Sequence, residues 1–328
     1  MTAPGTLGDG IVESTATPDA AIPLVVEPAG PAPELVAWAT AHRQPLRQRL
    51  LRHGAVLLRG FAGVTAESFE AAVRAACGEP LDYVERSSPR HSVHRNVYTS
   101  TDHPARERIY LHNEQSYNLR WPLRICFCCL VPARGGGSTP IADCRRVYRR
   151  IPPAIRDRFA DLGYLYVRNF GSGVGLSWQE AFQTTDPREV DRYCAANGIE
   201  AQWLAAGVLR TSQRRPAVAR HPQTGETVWF NHAVFFHVST LGEENASVML
   251  EVFGHEGLPN NTYYGDGSEI EPGVLDQLRG AYEAELVEFG WQRGDVLLLD
   301  NMLVAHGRAP YEPPRQVVVA MAEPSSAG

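Results

Sequence analysis

No stretch of this 328-residue chain approaches the ~20 consecutive apolar residues that span a bilayer, so a membrane span is excluded as an expectation. The N-terminus, "MTAPGTLGDGIVESTATPDAA", has neither a charged start nor an apolar segment of the kind an export signal needs. Its Pro, Gly, Ser, Thr and Ala content reads as a flexible tail over 1–24, and the expected location is cytoplasmic. There is no basic excess either. The 31 basic residues are outnumbered by 37 acidic ones, giving a formal net charge of −6. Short basic bunches such as "RRVYRR" read as solvated faces, so no nucleic-acid partner is expected. Six cysteines are present, but no pair of CxxC units occurs, which argues against a cysteine-rich zinc site. Three of them sit in the apolar run "RICFCCLV". Without an export signal, all are expected to be buried thiols rather than disulfides.

What is present is a globular composition, 44% hydrophobic and 21% charged, with no internal repeat and no long linker. Helical spacing appears over 33–53. "GAVLLRGF" is a short buried strand, and "TAESFEAAVRAAC" reads as a helix with Thr65 as its N-cap. "IYLHNE", "RICFCCLV", "YLYVRNF", "TVWFNHAVFFHV", "DVLLLDNMLVAHG" and "RQVVVAM" read as strands, separated by turn signals such as "ARGGGSTP" and "HPQTGE". Further helical pieces are "SWQEAFQT", "DPREVDRYCAANG" and "PGVLDQLRGAYEAELV". Strands and helices do not alternate regularly, which disfavours a parallel doubly wound sheet. The expected class is α+β, mainly β, with a jelly-roll core and surrounding helices. A single domain over 25–324 is expected, with 171–220 as an insertion or lid.

The stretch "LHNEQSYNLRW" places His112 and Glu114 two residues apart. In an extended strand such residues project to the same side. An imidazole and a carboxylate side by side form either a surface pair or two teeth of a metal clamp. HxE or HxD occurs nowhere else in the chain. Near the C-terminus His306 ends a strand-like run and is followed by Gly307, which leaves room beside it. Two imidazoles and one carboxylate bind one face of an octahedral metal and leave positions open, as in non-haem Fe(II) oxygenases; the same donors can hold a catalytic zinc. A co-substrate site would separate the two. Arg315, nine residues after His306, could grip the distal carboxylate of 2-oxoglutarate as a bidentate pair. Thr139, after glycines 135–137, could add a hydroxyl to the same carboxylate. Asn113, Gln115, Tyr117, Trp229, Asn231 and His232 are candidate substrate-pocket residues. Asp300 and Asn301 read as turn or supporting groups, and His237 as a satisfied core histidine. No catalytic group beyond the metal ligands is expected.

These residues carry a resemblance. "YTSTDHPARERIYLHNEQSY", "PARGGGSTPIADCRRVY", "GETVWFNHAVFFH", "NTYYGDGSEI" and "GDVLLLDNMLVAHGRAPY" resemble the taurine dioxygenase family of Fe(II)/2-oxoglutarate oxygenases. The branch they are most similar to is the hydroxylases of the syringomycin-pathway type. The resemblance covers about 33–322. It implies a double-stranded β-helix (cupin-like) core, with His112, Glu114 and His306 as iron ligands and Thr139 and Arg315 at 2-oxoglutarate. It also implies O2 as oxidant and an amino-acid-like small molecule as substrate, free or tethered to a peptidyl carrier protein. A homo-oligomer is compatible with it. Related halogenases have a small residue where this chain keeps Glu114, which argues against halogenation. Some relatives carry a second arginine four residues after the oxoglutarate arginine to hold an acidic substrate group. Here that position is Val319, so such a group would be held elsewhere, for example by Arg90, Arg210 or Arg220, or be masked as a thioester.

The expected reaction is hydroxylation of an unactivated C–H bond in natural-product biosynthesis. Desaturation, epoxidation and cyclisation are variants of the same chemistry. A zinc hydrolase with the same three ligands would leave Arg315 and the glycine-rich loop without a purpose. A non-catalytic jelly-roll binding protein would make the intact ligand set dispensable.

Overall fold

A computed structural model describes residues 7–8, 10–16, 21–81, 91–100, 103–171, 173–204 and 207–326. Its centre is an eight-stranded sheet. The strands run in the order Ile11–Thr15, Leu24–Pro28, Ala55–Leu58, Val296–Asp300, Arg120–Val131, Gln316–Ser326, Val97–Thr99 and Ser92–His94. The three central strands alternate strictly between two apolar clusters. Leu297, Leu299, Ile125, Phe127, Val317, Val319 and Met321 face one cluster. Val296, Leu298, Cys126, Cys128, Val318 and Ala320 face the other, which is closed by the helices Leu35–Ala41, Arg43–His53 and Ala66–Cys77. Burial on both faces explains why "RICFCCLV" and "VVVAM" are continuously apolar, since each successive side chain turns to the opposite face. All six cysteines are buried free thiols, as expected.

A second sheet carries the strands Leu286–Val287, Ile141–Asp143, Val304–Arg308 and Ile109–His112, in that order. Ile141, Ala142, Val304 and Ala305 from it join the inner cluster of the large sheet. The two sheets therefore close a jelly roll around one core, as expected from the sequence. Among the described residues, no helix is long and apolar enough to cross a membrane.

Several expectations are corrected. Residues 11–15, assigned to a flexible tail, form an edge strand paired antiparallel to Leu24–Pro28. The remainder of 1–24 falls partly outside the described residues. The helical stretch 33–53 is two helices, broken at His42 (φ −110°, ψ 20°). Thr65 caps its helix, and Ser68 completes the capping box. "TVWFNHAVFFHV" is strand only over Thr227–Trp229. The chain then turns, because the Asn231 side chain bonds the Ala217 carbonyl and the Ala233 N–H. A helix, Glu243–Gly257, follows where the sequence suggested none. Segment 171–220 carries both strands and helices among its described residues. Its strands Glu200–Trp203 and Leu209–Arg215 join Tyr164–Phe170 and Asn260–Tyr264 in a further sheet. Its helices Trp178–Phe182 and Pro187–Ala196 pack a local cluster that includes Trp178, Val190 and Leu209.

Candidate metal and co-substrate site

The strand Ile109–His112 pairs with Val304–Arg308 so that His112 and His306 are direct register partners. Their ring centroids lie 4.5 Å apart. Gly307 makes this approach possible. A Cβ there would meet the Ile109 carbonyl oxygen at 2.5 Å, so any other residue would push the two strands apart. Glu114 is not on the strand, contrary to the extended geometry expected for "HNE". The strand ends at His112 and a turn begins at Glu114. Gln115 adopts a positive φ of 55° within that turn. Asn301 fixes it. Its side chain accepts from the Glu114 N–H at 2.8 Å and donates to the carbonyls of Glu114 at 2.8 Å and Pro122 at 2.9 Å. The Asn113 amide in turn donates to the Asn301 carbonyl at 2.7 Å.

The result is that one donor atom from each of His112, Glu114 and His306 lies within 4.8 Å of the others. The donor set fits a divalent metal. The His112 Nδ1 lies 2.9 Å from the Tyr110 carbonyl. A carbonyl can only accept, so Nδ1 carries the proton and Nε2 keeps its lone pair for a cation. Glu114 and His306 are nearly fully buried, where a carboxylate needs a cationic partner.

The three donors open onto a cavity of about 730 Å³. Thr139 and Arg315 line the same cavity. The Thr139 Oγ1 accepts from the Trp291 indole N–H at 3.0 Å, which leaves its own proton to donate. The Arg315 Nε donates to the Gly137 carbonyl at 2.9 Å. Burial, and then the nearby Arg308 charge, push Arg315 below the usual guanidinium range, to about 10. A bound dicarboxylate would counter both effects, so this arginine fits an anionic co-substrate.

Of the six residues expected to wall the substrate pocket, only His232 lines the cavity. It lies beside His112 with ring centroids 5.8 Å apart. Its Nδ1 meets the Ser116 hydroxyl at 2.6 Å, and burial holds it well below the ordinary imidazole value. The Asn113 and Asn231 side chains hold backbone instead. Tyr117 and Trp229 are buried in the apolar core. His237 caps a short helical turn, accepting from the Ser239 N–H at 3.1 Å. Asp300 supports the turn before the His306 strand. It accepts from the N–H groups of Met302 and Leu303 at 3.1 Å each, and it pairs with Arg124 and with His221.

The wall is built from residues the sequence did not single out: Ile109, Tyr110, Phe127, Phe235, Phe236 and Arg308. Phe235 packs 4.4 Å from the His112 ring and Phe127 5.1 Å from that of His306. The signal available for them was the aromatic pair in "VFFH" and the arginine in "HGR". None of the described residues of 171–220 lines this cavity. Arg210 pairs with Glu256, Arg220 is exposed, and neither lines the cavity; Arg90 lies outside the described residues.

Comparison with known proteins gives the family. The family model "Taurine catabolism dioxygenase TauD, TfdA family" matches residues 20–321. The dapdiamide synthesis protein DdaC of Enterobacter agglomerans is 43% identical over 281 residues, 85% of each chain. A clavaminate synthase-like protein of Arabidopsis thaliana is 30% identical over 314 residues, 93% of this chain and 91% of its own. The solved structure of PvcB, described as an Fe, alpha-ketoglutarate dependent oxygenase from an isonitrile synthetic pathway, shares the fold. Its TM-score is 0.57 at 16% identity, over 98% of this chain and 96% of that one. The chain belongs to the taurine catabolism dioxygenase TauD, TfdA family and is an Fe(II)/2-oxoglutarate-dependent dioxygenase that uses O2.

Proposed function

We propose that this dioxygenase hydroxylates an unactivated C–H bond of an amino-acid-derived intermediate in natural-product biosynthesis, free or held as a thioester on a peptidyl carrier protein. The observation that carries the reading is the convergence of His112, Glu114 and His306 within 4.8 Å on a cavity shared with Thr139 and Arg315. The biosynthetic setting is supported by the relative named for dapdiamide synthesis.

In this reading His112, Glu114 and His306 hold the iron, which with 2-oxoglutarate and O2 supplies an oxidant able to break a C–H bond. The rest is the work of the chain. The Tyr110 carbonyl fixes the His112 tautomer. Asn301 holds the backbone that carries Glu114. Arg315 and Thr139 orient the far carboxylate of the co-substrate. Phe127, Phe235 and Phe236 exclude water from the reacting carbon and offer it an apolar surface.

The test is anaerobic. Apo-protein is mixed with Fe(II), then 2-oxoglutarate, and the visible metal-to-ligand charge-transfer band is followed in wild type, His306→Ala and Arg315→Ala. The reading expects a band that is lost without His306 and needs much more 2-oxoglutarate without Arg315. No band in wild type, with zinc held tightly instead, would sink it. Succinate release is then screened with amino acids and aminoacyl carrier proteins. A product that gains one oxygen is hydroxylation or epoxidation, and one that loses two hydrogens is desaturation or cyclisation.

A further inference from the structure

Among the described residues, nearly every charged group lining the cavity is already engaged. Glu114 belongs to the donor cluster. His103 and Glu107 pair at 3.0 Å on the rim. Arg315 sits at the proposed co-substrate position. Arg308, nearly fully buried, gives its two terminal nitrogens to three carbonyls of the rim loop: His103 at 2.8 Å, Pro104 at 2.5 Å and Glu107 at 2.8 Å. Arg108 is the exception. It is exposed, it lines the cavity, and no hydrogen-bond or carboxylate partner holds it among the described residues. It follows directly on Glu107, whose carbonyl Arg308 holds. The rim loop is therefore tied to the His306 strand, and Arg108 extends from a fixed base.

The inner wall has the opposite character. Ile109, Phe127, Phe235 and Phe236 surround the approach to the donor cluster. The carboxylates among the described lining residues are Glu107 and Glu114, both engaged, so a substrate ammonium near the metal would find no counter-ion. Val319 is fully buried in the core and supplies no guanidinium for a substrate carboxylate, and the terminal nitrogens of Arg308 are given to the rim carbonyls. A charge desolvated there without a partner is costly.

We propose that Arg108 recognises one anionic group on the substrate, remote from the carbon that is oxidised, and that the portion reaching the metal is uncharged. The inference rests on the oxygenase reading above and narrows its substrate class. It describes an extended molecule with a neutral reacting end and an anion at the cavity mouth. A guanidinium fork matches the oxygen pair of either a phosphate or a carboxylate. The phosphate would belong to the pantetheine arm of a carrier protein, and the carboxylate to the far end of a free substrate.

The test uses full-length protein loaded with Mn(II) and N-oxalylglycine, unreactive stand-ins for iron and 2-oxoglutarate. Calorimetric titration compares pantetheine 4′-phosphate with pantetheine, and hexanoate with hexanamide. The anionic member of one pair is expected to bind at least about fivefold tighter, with the advantage shrinking as salt rises. Arg108→Gln should abolish the advantage, and Arg108→Lys should retain part of it. Discrimination in the phosphate pair alone identifies the carrier arm as the source, and in the carboxylate pair alone a free acid. Equal or absent binding within both pairs, or a preference that survives Arg108→Gln, overturns the proposal. The oxygenase reading is judged separately by the Fe(II)/2-oxoglutarate band, which Arg108→Gln should leave in place and which also reports that the variant is folded.

Discussion

Asn301 and Glu114 are joined by a reciprocal pair of hydrogen bonds between the amide side chain of one and the backbone of the other, each 2.8 Å long. The residue that follows the large-sheet strand Val296–Asp300 thus sets the position of a carboxylate supplied by a distant turn. Asn301→Ala would remove the Asn301 partner of the buried Glu114 N–H and of the Glu114 and Pro122 carbonyls. A loss of about 2–4 kcal/mol of stability is expected. Iron affinity should fall by about tenfold or more, because Glu114 is no longer held on line with the histidines. Thermal unfolding and an anaerobic Fe(II) titration check both; unchanged iron affinity would remove Asn301 from the site's support.

Arg315 is half-buried and donates to a backbone carbonyl, and Arg308 lies close enough to depress its proton affinity. Replacing it with alanine should raise the 2-oxoglutarate concentration for half-maximal band formation by about thirtyfold or more. Iron binding should persist. Lysine should recover only part of the loss, since it cannot grip both carboxylate oxygens at once. A variant with unchanged 2-oxoglutarate demand would mean the co-substrate lies elsewhere in the cavity.

Gly307 stands where a Cβ would meet backbone oxygen at 2.5 Å. Backbone cannot rotate away as a side chain can. Gly307→Ala should therefore open the His112–His306 pairing and cost about 1–3 kcal/mol, with weakened metal binding as its companion. Melting temperature measured with and without Fe(II) separates the two effects. If the variant keeps both, the close strand approach does not set the donor geometry.

His237 is pushed down from the ordinary value of 6.5 to about 4, first by burial and then by Arg279. Between those values the unfolded chain binds the proton and the folded chain does not. Stability from this group is therefore complete above about pH 6.5 and is lost as pH falls toward 4. His237→Asn, which can still accept from the Ser239 N–H, should flatten the pH dependence of unfolding in that window. An unaltered profile would assign the acid loss to other groups.

Much of the site was legible in the chain because metal chemistry restricts donor types. HxE at 112–114, a histidine beside glycine at 306 and an arginine opening an apolar strand need no coordinates to be noticed. The jelly roll was legible for a similar reason, since strands buried on both faces must be apolar throughout, and "RICFCCLV" and "RQVVVAM" are. The wall of the cavity was not. Asn113, Tyr117, Trp229 and Asn231 stand close in sequence to the site, but their side chains go to backbone carbonyls and to the apolar core. Phe127, Phe235 and Arg308 reach it from three different segments. Local sequence cannot say which face of a strand meets which other strand, because that depends on register between segments far apart in the chain. The chain by itself determined which atoms could hold the metal and the co-substrate. Only the tertiary structure decided that His112 sits opposite His306, that Asn301 carries Glu114 into line with both, and that a rim pinned by Arg308 leaves Arg108 facing the mouth.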